Sequence, residues 1–191
     1  MNFADDTTVF LSHPSSDALY TCFNEELSKV SEWLRVNRLS LNVDKTCYMI
    51  ICNKKVEEKR IEIAGNVIKR TDKVRFLGIL IDDRLSFKDH VRGLQKQVSM
   101  ASGMLNRVSK LIPAEVKLKA YYALIYSKLI YGILSWGKSS HGNKVMMEKT
   151  IKRAWKVVSY ENLDICRGLL NFDSIFSYFV GVKFYKIRWL N

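Results

Sequence analysis

Apolar and polar positions follow two rhythms along this chain, and the change between them divides it near residue 83. In the first stretch, Thr7 and Thr8 with Val9, Phe10 and Leu11 are β-favouring and predict a strand, closed by His13-Pro14. Tyr20, Phe23, Leu27, Val30 and Leu34 then recur at three- and four-residue steps. That spacing predicts an amphipathic helix of about 20 residues, capped by Ser15, Ser16 or Asp17 and ending near Asn37. Leu39 and Leu41 alternate with polar neighbours, as in a short extended segment. Cys47 to Cys52 is apolar on both faces and predicts a strand inside a sheet. Lys54 to Arg60 reads as a solvated loop. Ile61 and Ile63 alternate towards Gly65-Asn66, a hairpin-turn signal, with Val67-Ile68 returning. Val74 to Ile81 predicts one further strand, in which Gly78 marks a bulge or a close backbone approach. Asp82-Asp83 after it reads as a surface turn.

From residue 84 the spacing is helical throughout. Ser86 with Asp89 offers a capping box ahead of Phe87, Val91, Leu94, Val98, Ala101, Leu105, Val108 and Ile112, the clearest helical repeat in the chain. Pro113 ends that helix and suits the first turn of the next, which runs from about Ala114 towards Leu134. Residues 136–143 read as a loop, and a third helix follows from about Lys144 to Ser159, with Val145, Met146, Ile151, Trp155 and Val158 as its inner face. Asp173-Ser174 can cap a final helix ending near Trp189. The pattern predicts an α+β chain. A largely antiparallel sheet with one packed helix occupies 1–83, and an all-α region occupies 84–191.

Charge sharpens this division. Residues 1–80 hold 12 Lys+Arg against 11 Asp+Glu, whereas residues 81–191 hold 19 against 8, so nearly all of the net +12 lies in the helical part. Such asymmetry points to a polyanion, nucleic acid or an anionic membrane, against the simpler alternative of a solvated basic surface. Lys149, Lys152, Arg153 and Lys156 make the outer face of the third helix strongly basic. Lys117, Lys119 and Lys128 accompany Tyr121, Tyr122, Tyr126 and Tyr131, a combination that can line a nucleic-acid groove or place tyrosine rings in a core. No apolar run approaches the roughly 18 residues of a membrane helix. The four cysteines, Cys22, Cys47, Cys52 and Cys166, and the histidines His13, His90 and His141 fit no zinc spacing and suit a reduced chain with buried thiols.

Asp5 and Asp6 are adjacent carboxylates at the entry to the first strand. Like charges side by side resist burial, which a bound Mg²⁺ would relieve; taken alone, the pair fits a solvated turn more simply, since acids favour turns. The order of the motifs adds to this. Phe3-Ala4-Asp5-Asp6-Thr7 resembles the aromatic-Ala-Asp-Asp motif of reverse transcriptases. Trp33-Leu34 followed by Asn37, Leu39, Leu41, Asn42, Lys45 and Thr46 resembles the fourth palm motif of non-LTR (LINE-type) retrotransposon enzymes. Phe76-Leu77-Gly78-Ile79 resembles their primer grip, and Pro113 through Tyr131-Gly132 and Trp136-Gly137 resembles the thumb and its connection. The similarity covers about residues 1–140 and is looser after about 145.

The resemblance implies the C-terminal part of a polymerase palm over 1–83, with a truncated antiparallel sheet, and a thumb-like basic helical region over 84–191. It implies an RNA-directed DNA polymerase using Mg²⁺, with an RNA template, a DNA primer and deoxynucleotides as partners, no membrane, and a nuclear location by family analogy. Asp5 and Asp6 would be metal ligands, Asp5 the firmer, and Lys45 would neutralise or protonate the leaving pyrophosphate. Phe76, Leu77 and Gly78 would touch the primer backbone. Lys117, Lys119, Lys128, Lys149, Lys152, Arg153 and Lys156 would hold template–primer phosphates. The family's palm also needs an aspartate from an earlier strand and a fingers region, neither of which this stretch carries, so it is predicted to be inactive alone. The competing reading is a non-catalytic basic helical module that binds RNA or DNA.

Overall fold

The computed structural model describes residues 2–3, 6–53, 56–137 and 139–158. The predicted final helix from 173 lies outside them. The chain forms two compact units that meet between Val74 and Arg75. The expected boundary, near 83, was drawn where the strands end. The observed one falls earlier, because the last hairpin packs with the helices that follow it.

In the first unit, β1 (Asn2–Phe3) pairs antiparallel with β2 (Asp6–Thr7), Phe3 opposite Asp6 and Asn2 opposite Thr7. The predicted strand through Leu11 is thus cut to its first residues. A two-residue partner pairs only two residues, and Phe10 beyond it is 68 % exposed. Helix α1 (Ser16–Val36) forms as expected and is closed by Asn37. Its Tyr20 and Leu27 are buried with Tyr48, Ile61, Ile63 and Ile68 in one small core. Polar bonds fasten that core's edge. Tyr20 donates its hydroxyl to the Glu57 carbonyl at 3.0 Å, and Asn24 both donates to the Arg60 carbonyl and accepts from the Glu62 amide, each at 3.3 Å. The buried Tyr48 hydroxyl donates to the Lys59 carbonyl; its burial, with Tyr20 and Glu58 beside it, pushes the phenol up to about 12, so it remains a donor.

A short 3₁₀ turn (Val43–Lys45) leads into β3 (Cys47–Tyr48). The run Cys47–Cys52 is not an interior strand. Only its first two residues pair, and they pair parallel with β6 (Lys69–Arg70), while Ile51 is 52 % exposed. Side chains from α1 and from 61–68, in place of flanking strands, cover Tyr48. Between them β4 (Glu62–Ile63) and β5 (Asn66–Val67) make the predicted hairpin, turning at Ala64-Gly65 with φ of 50° and 77°. The described strands lie in four two-stranded sheets, three of them local hairpins; β3–β6 joins distant segments.

The expected strand Val74–Ile81 is a hairpin, β7 (Lys73–Phe76) and β8 (Ile79–Asp82), with the unit boundary inside β7. Leu77 and Gly78 turn it with φ of 46° and 80°, a pair of left-handed residues that reverses a twisted ribbon in two positions. Helix α2 (Lys88–Val108) buries Val91, Leu94, Val98, Ala101 and Leu105. Ser86 and Asp89 do not cap it as a box. The Asp82 carboxylate does that work instead, accepting from the Phe87 amide at 2.7 Å, the Ser86 amide at 3.0 Å, the Ser86 hydroxyl at 3.1 Å and the Arg84 amide at 3.2 Å.

Pro113 precedes α3 (Ala114–Tyr121), which widens into a π segment at Tyr122–Tyr126, narrows again in α4 (Ser127–Ile130) and breaks at Tyr131-Gly132. The predicted helix to Leu134 therefore ends four residues early. A short α5 (Ile133–Trp136) and then α6 (His141–Val158) follow. Tyr121, Ile125, Leu129, Ile133, Trp136, Met147, Ile151, Ala154 and Trp155 close over the α2 face to make the larger core. The Tyr121 ring meets Trp155 edge-on at 5.0 Å. Among the described residues no helix is long and apolar enough to cross a membrane; Cys22 and Cys47 are free thiols, but Cys22 is only half-buried and Cys47 is exposed, where buried thiols are expected.

Candidate nucleic-acid interface

Helix α6 carries the most one-sided charge. Its buried residues, Met147, Thr150, Ile151, Ala154, Trp155 and Val158, leave Lys149, Lys152, Arg153 and Lys156 exposed. Steps of three, one and three residues stack these four cations in one stripe along the helix. Glu148 is the helix's only acid against five Lys and Arg, so the stripe stays strongly basic. This part of the predicted basic surface is continuous.

The cations of the preceding helices differ. Lys119 spends its charge on Glu115 at 2.6 Å, both side chains being exposed. Lys117 is half-buried. Lys128 lines a cleft of about 370 Å³ with Arg75, Gly78, Leu80, Asp89, His90, Gly93, Leu94, Gln97, Ser127 and Tyr131. The tyrosine row divides between both of its possible roles. Tyr121 is core, Tyr122 and Tyr126 stack edge-on at 5.2 Å with Tyr122 open to solvent, and Tyr131 is exposed.

The hairpin tip, holding Phe76, Leu77 and Gly78, is fixed to this helical body. The Tyr131 hydroxyl donates to the Leu77 carbonyl at 2.6 Å, and a Cβ on Gly78 would meet the Tyr131 ring at 3.5 Å. Gly132, at φ 61°, lets the chain turn directly above Ile79: a Cβ there would collide with Ile79 Cδ1. Trp136 ties the same turn by donating its indole N–H to the Tyr131 carbonyl at 2.9 Å. Further along, the Leu80 amide donates to His90 Nδ1 at 3.3 Å, and the His90 ring lies 5.9 Å from that of Trp136. Burial, and then the Arg75 charge, push the His90 imidazole below its ordinary value. His90 is thus neutral with its proton on Nε2. Arg75, His90 and Gln97 were not singled out as site residues in the sequence. Only their assembly around one cleft distinguishes them, and no spacing encodes that.

Of the predicted catalytic group, Asp5 lies outside the described residues, and Asp6 begins β2 opposite Phe3. Lys45 is exposed at the end of the 3₁₀ turn, its amide donating to Asn42 Oδ1 at 3.2 Å. Among the described residues no three His, Cys, Asp or Glu side chains are grouped to hold a metal. Asp82, assigned to a surface turn, is committed to four hydrogen bonds from 84–87.

Comparison with known proteins gives a consistent family of relatives. The chain is 25 % identical over 159 residues to the RNA-directed DNA polymerase from mobile element jockey of Drosophila melanogaster, covering 79 % of this chain and 17 % of that protein. It is 27 % identical over 174 residues to a Pol polyprotein from type-1 retrotransposable element R1 of Nasonia vitripennis, covering 86 % of this chain and 51 % of that one. A probable RNA-directed DNA polymerase from transposon BS of Drosophila melanogaster is 23 % identical over 164 residues, 82 % of this chain and 18 % of the relative. The chain therefore spans between about a sixth and a half of these relatives. No family model matches, and no solved structure matches. Over most of its length the chain resembles the RNA-directed DNA polymerases of non-LTR retrotransposons.

Proposed function

We propose that this chain is the C-terminal palm and thumb portion of a non-LTR retrotransposon reverse transcriptase, and that its role within such an enzyme is to grip the template–primer. The observation that carries the reading is the strongly basic stripe Lys149, Lys152, Arg153 and Lys156 on α6, in a chain similar to polymerases over most of its length. The first unit contributes Asp5, Asp6 and Lys45. The two carboxylates are hard oxygen donors of the kind Mg²⁺ takes, and bound Mg²⁺ supplies charge stabilisation for in-line nucleotidyl transfer. Lys45, exposed on a short turn, is free to meet the pyrophosphate. The hairpin tip at Phe76, Leu77 and Gly78 presents backbone to the primer from a turn that Tyr131 keeps from swinging.

Two measurements test this. Primer extension on an RNA template with Mg²⁺ is expected to give no incorporation by these 191 residues alone; incorporation abolished by Asp5→Ala would overturn that. Mobility shift of an RNA–DNA hybrid is expected to weaken steeply with salt. Exchanging the four α6 cations for glutamine should flatten that dependence, each lost phosphate contact removing about 0.7–0.9 from the slope of log affinity against log salt. A second reading, a binding module with no chemistry, draws on the same stripe, which needs no metal site. The two part on whether activity appears when the missing portions are supplied in trans with Asp5 intact.

A further inference from the structure

Strand β8 and helix α2 share a bond that a single proton cancels. The Leu80 amide donates to His90 Nδ1 at 3.3 Å, so that nitrogen must be bare. A protonated imidazole carries hydrogen on both ring nitrogens and would set one N–H against another. The charges around the ring oppose its protonation. Arg75 from β7 and Lys128 from α4 line the same cleft as His90. Asp89, on the same wall, is the residue before His90 and stands 3.8 Å from Arg92. Tyr131 also lines the cleft, and its hydroxyl donates to the Leu77 carbonyl at 2.6 Å. Trp136 is the neighbour whose ring would favour a cation, and it lies 5.9 Å away, tilted by 58°.

The place of this bond gives it leverage. Polar contacts fasten the hairpin at Leu77, at Leu80 and at Asp82. The contact at Leu77 joins two neutral groups, and the Asp82 carboxyl is held below its usual range. The contact at Leu80 depends on histidine, the side chain whose charge changes near neutral pH. We propose that His90 is a pH-sensitive pin, a positioning residue that fastens β8 to α2 while neutral and releases it on taking a proton. Docked, the ring takes its proton below the ordinary value of about 6.5; released, it takes it near that value. The pin is therefore complete above about pH 6.5 and is lost as pH falls through the lower docked midpoint. It requires no ligand, so it stands or falls apart from the nucleic-acid reading.

The test is NMR of the full chain between about pH 7.5 and about pH 5, the range in which histidine changes charge. It reads the histidine ring signals together with exchange of the Leu80 amide, corrected for the intrinsic pH dependence of exchange. The chain has three histidines, so His90 is the signal retained when His13→Gln and His141→Gln are made together. Leu80 protection should fall as His90 titrates, about tenfold for each pH unit separating the docked midpoint from the ordinary one, while the Ile151 amide in α6 keeps its own. His90→Gln offers an acceptor oxygen that does not titrate, so its Leu80 protection should stay constant across the range. Arg75→Gln removes a facing charge and should raise the His90 midpoint and the pH of release together. Equal loss of Leu80 protection in His90→Gln would overturn the pin, as would a Leu80 amide still protected after His90 has titrated. Should His90→Gln fail to fold, Arg75→Gln decides alone: a raised midpoint without a matching rise in the pH of release would overturn the proposal.

Discussion

The Asp82 carboxylate ties the end of the hairpin to the start of α2 through its bonds from 84–87. The turn it spans places Leu85 at φ 53° and Phe87 at φ 54°, left-handed conformations that cost roughly 1–2 kcal/mol each for such residues. Phe87 is also a core residue, so the turn must be held for α2 to start where it does. Asp82→Ala is expected to destabilise the second unit by about 1–2 kcal/mol in urea denaturation, the scale of a lost helix cap. Partial burial alone would raise the Asp82 carboxyl, but the bonds from Ser86, Phe87 and Arg84 outweigh it and hold the group below its usual range. Its contribution is therefore complete above the ordinary aspartate value of about 3.9 and is lost as pH falls through the lower folded one. The native chain should lose stability in that acid window and Asp82→Ala should lose less. Glycines give a sharper contrast. Gly132→Ala meets Ile79 and a left-handed backbone together, and should cost about 2–4 kcal/mol. Gly103→Ala, in α2 with open space around it, should instead stabilise by about 0.5–1 kcal/mol. Equal effects at the two positions would refute this account of the 131–132 turn.

At the scale of elements, the long helices were legible in the sequence and most of the strands were not. Alternating three- and four-residue steps across α1 and α2 repeat often enough to exclude other periods; α6 starts three residues earlier than expected, and Met147 is buried on its inner face where Val145 and Met146 are expected. The run Cys47–Cys52 looked like an interior strand because apolar composition cannot distinguish burial under strands from burial under a helix. Gly78 signals a bulge or a close backbone approach; the close approach, to Tyr131, is present, while the hairpin turn is not legible because a single glycine does not announce that its neighbour Leu77 also turns left-handed. The π segment has a cause that can be recovered afterwards. Tyr121, Ile125 and Leu129 are buried at strict four-residue spacing, and such a stripe drifts about 40° a step around a helix of 3.6 residues per turn. One wider turn takes up the drift. Leu129→Ala, at 1 % exposure, should cost about 2–5 kcal/mol through the cavity it leaves, against less than about 0.5 kcal/mol for Met104→Ala on the open face of α2.

For the whole molecule, the two cores are unequal. Among the described residues the first unit buries six apolar side chains in its cluster and the second sixteen. A unit of some 70 residues with so small a core has little margin. Amide exchange in α1 and in 61–68 is expected to be faster than in the buried turns of α2 and α6, and equal protection in the two units would contradict this. The site was legible in the same uneven way. Motif order points to the resemblance to polymerases that the comparisons bear out, and the α6 stripe follows directly from helical spacing. The cleft joining Arg75, His90 and Lys128 depends on contacts between residues up to 53 positions apart, which no local pattern records.

The parallel pairing of β3 with β6 also governs how quickly the first unit can form. Cys47 must find Lys69, and Tyr48 must find Arg70, across the intervening chain. The bonds from Tyr20 and Asn24 close loops of 36 to 38 residues on the same region. Loop-closure entropy must be met before any of these contacts returns energy. The second unit gains most of its early contacts within helices and in a hairpin turned by two residues. The segment synthesised first is thus the one that waits longest for its partners, and its assembly, slower than the helical half behind it, sets the time for which Tyr20, Tyr48 and the isoleucines of 61–68 stand open to chaperones or to other nascent chains.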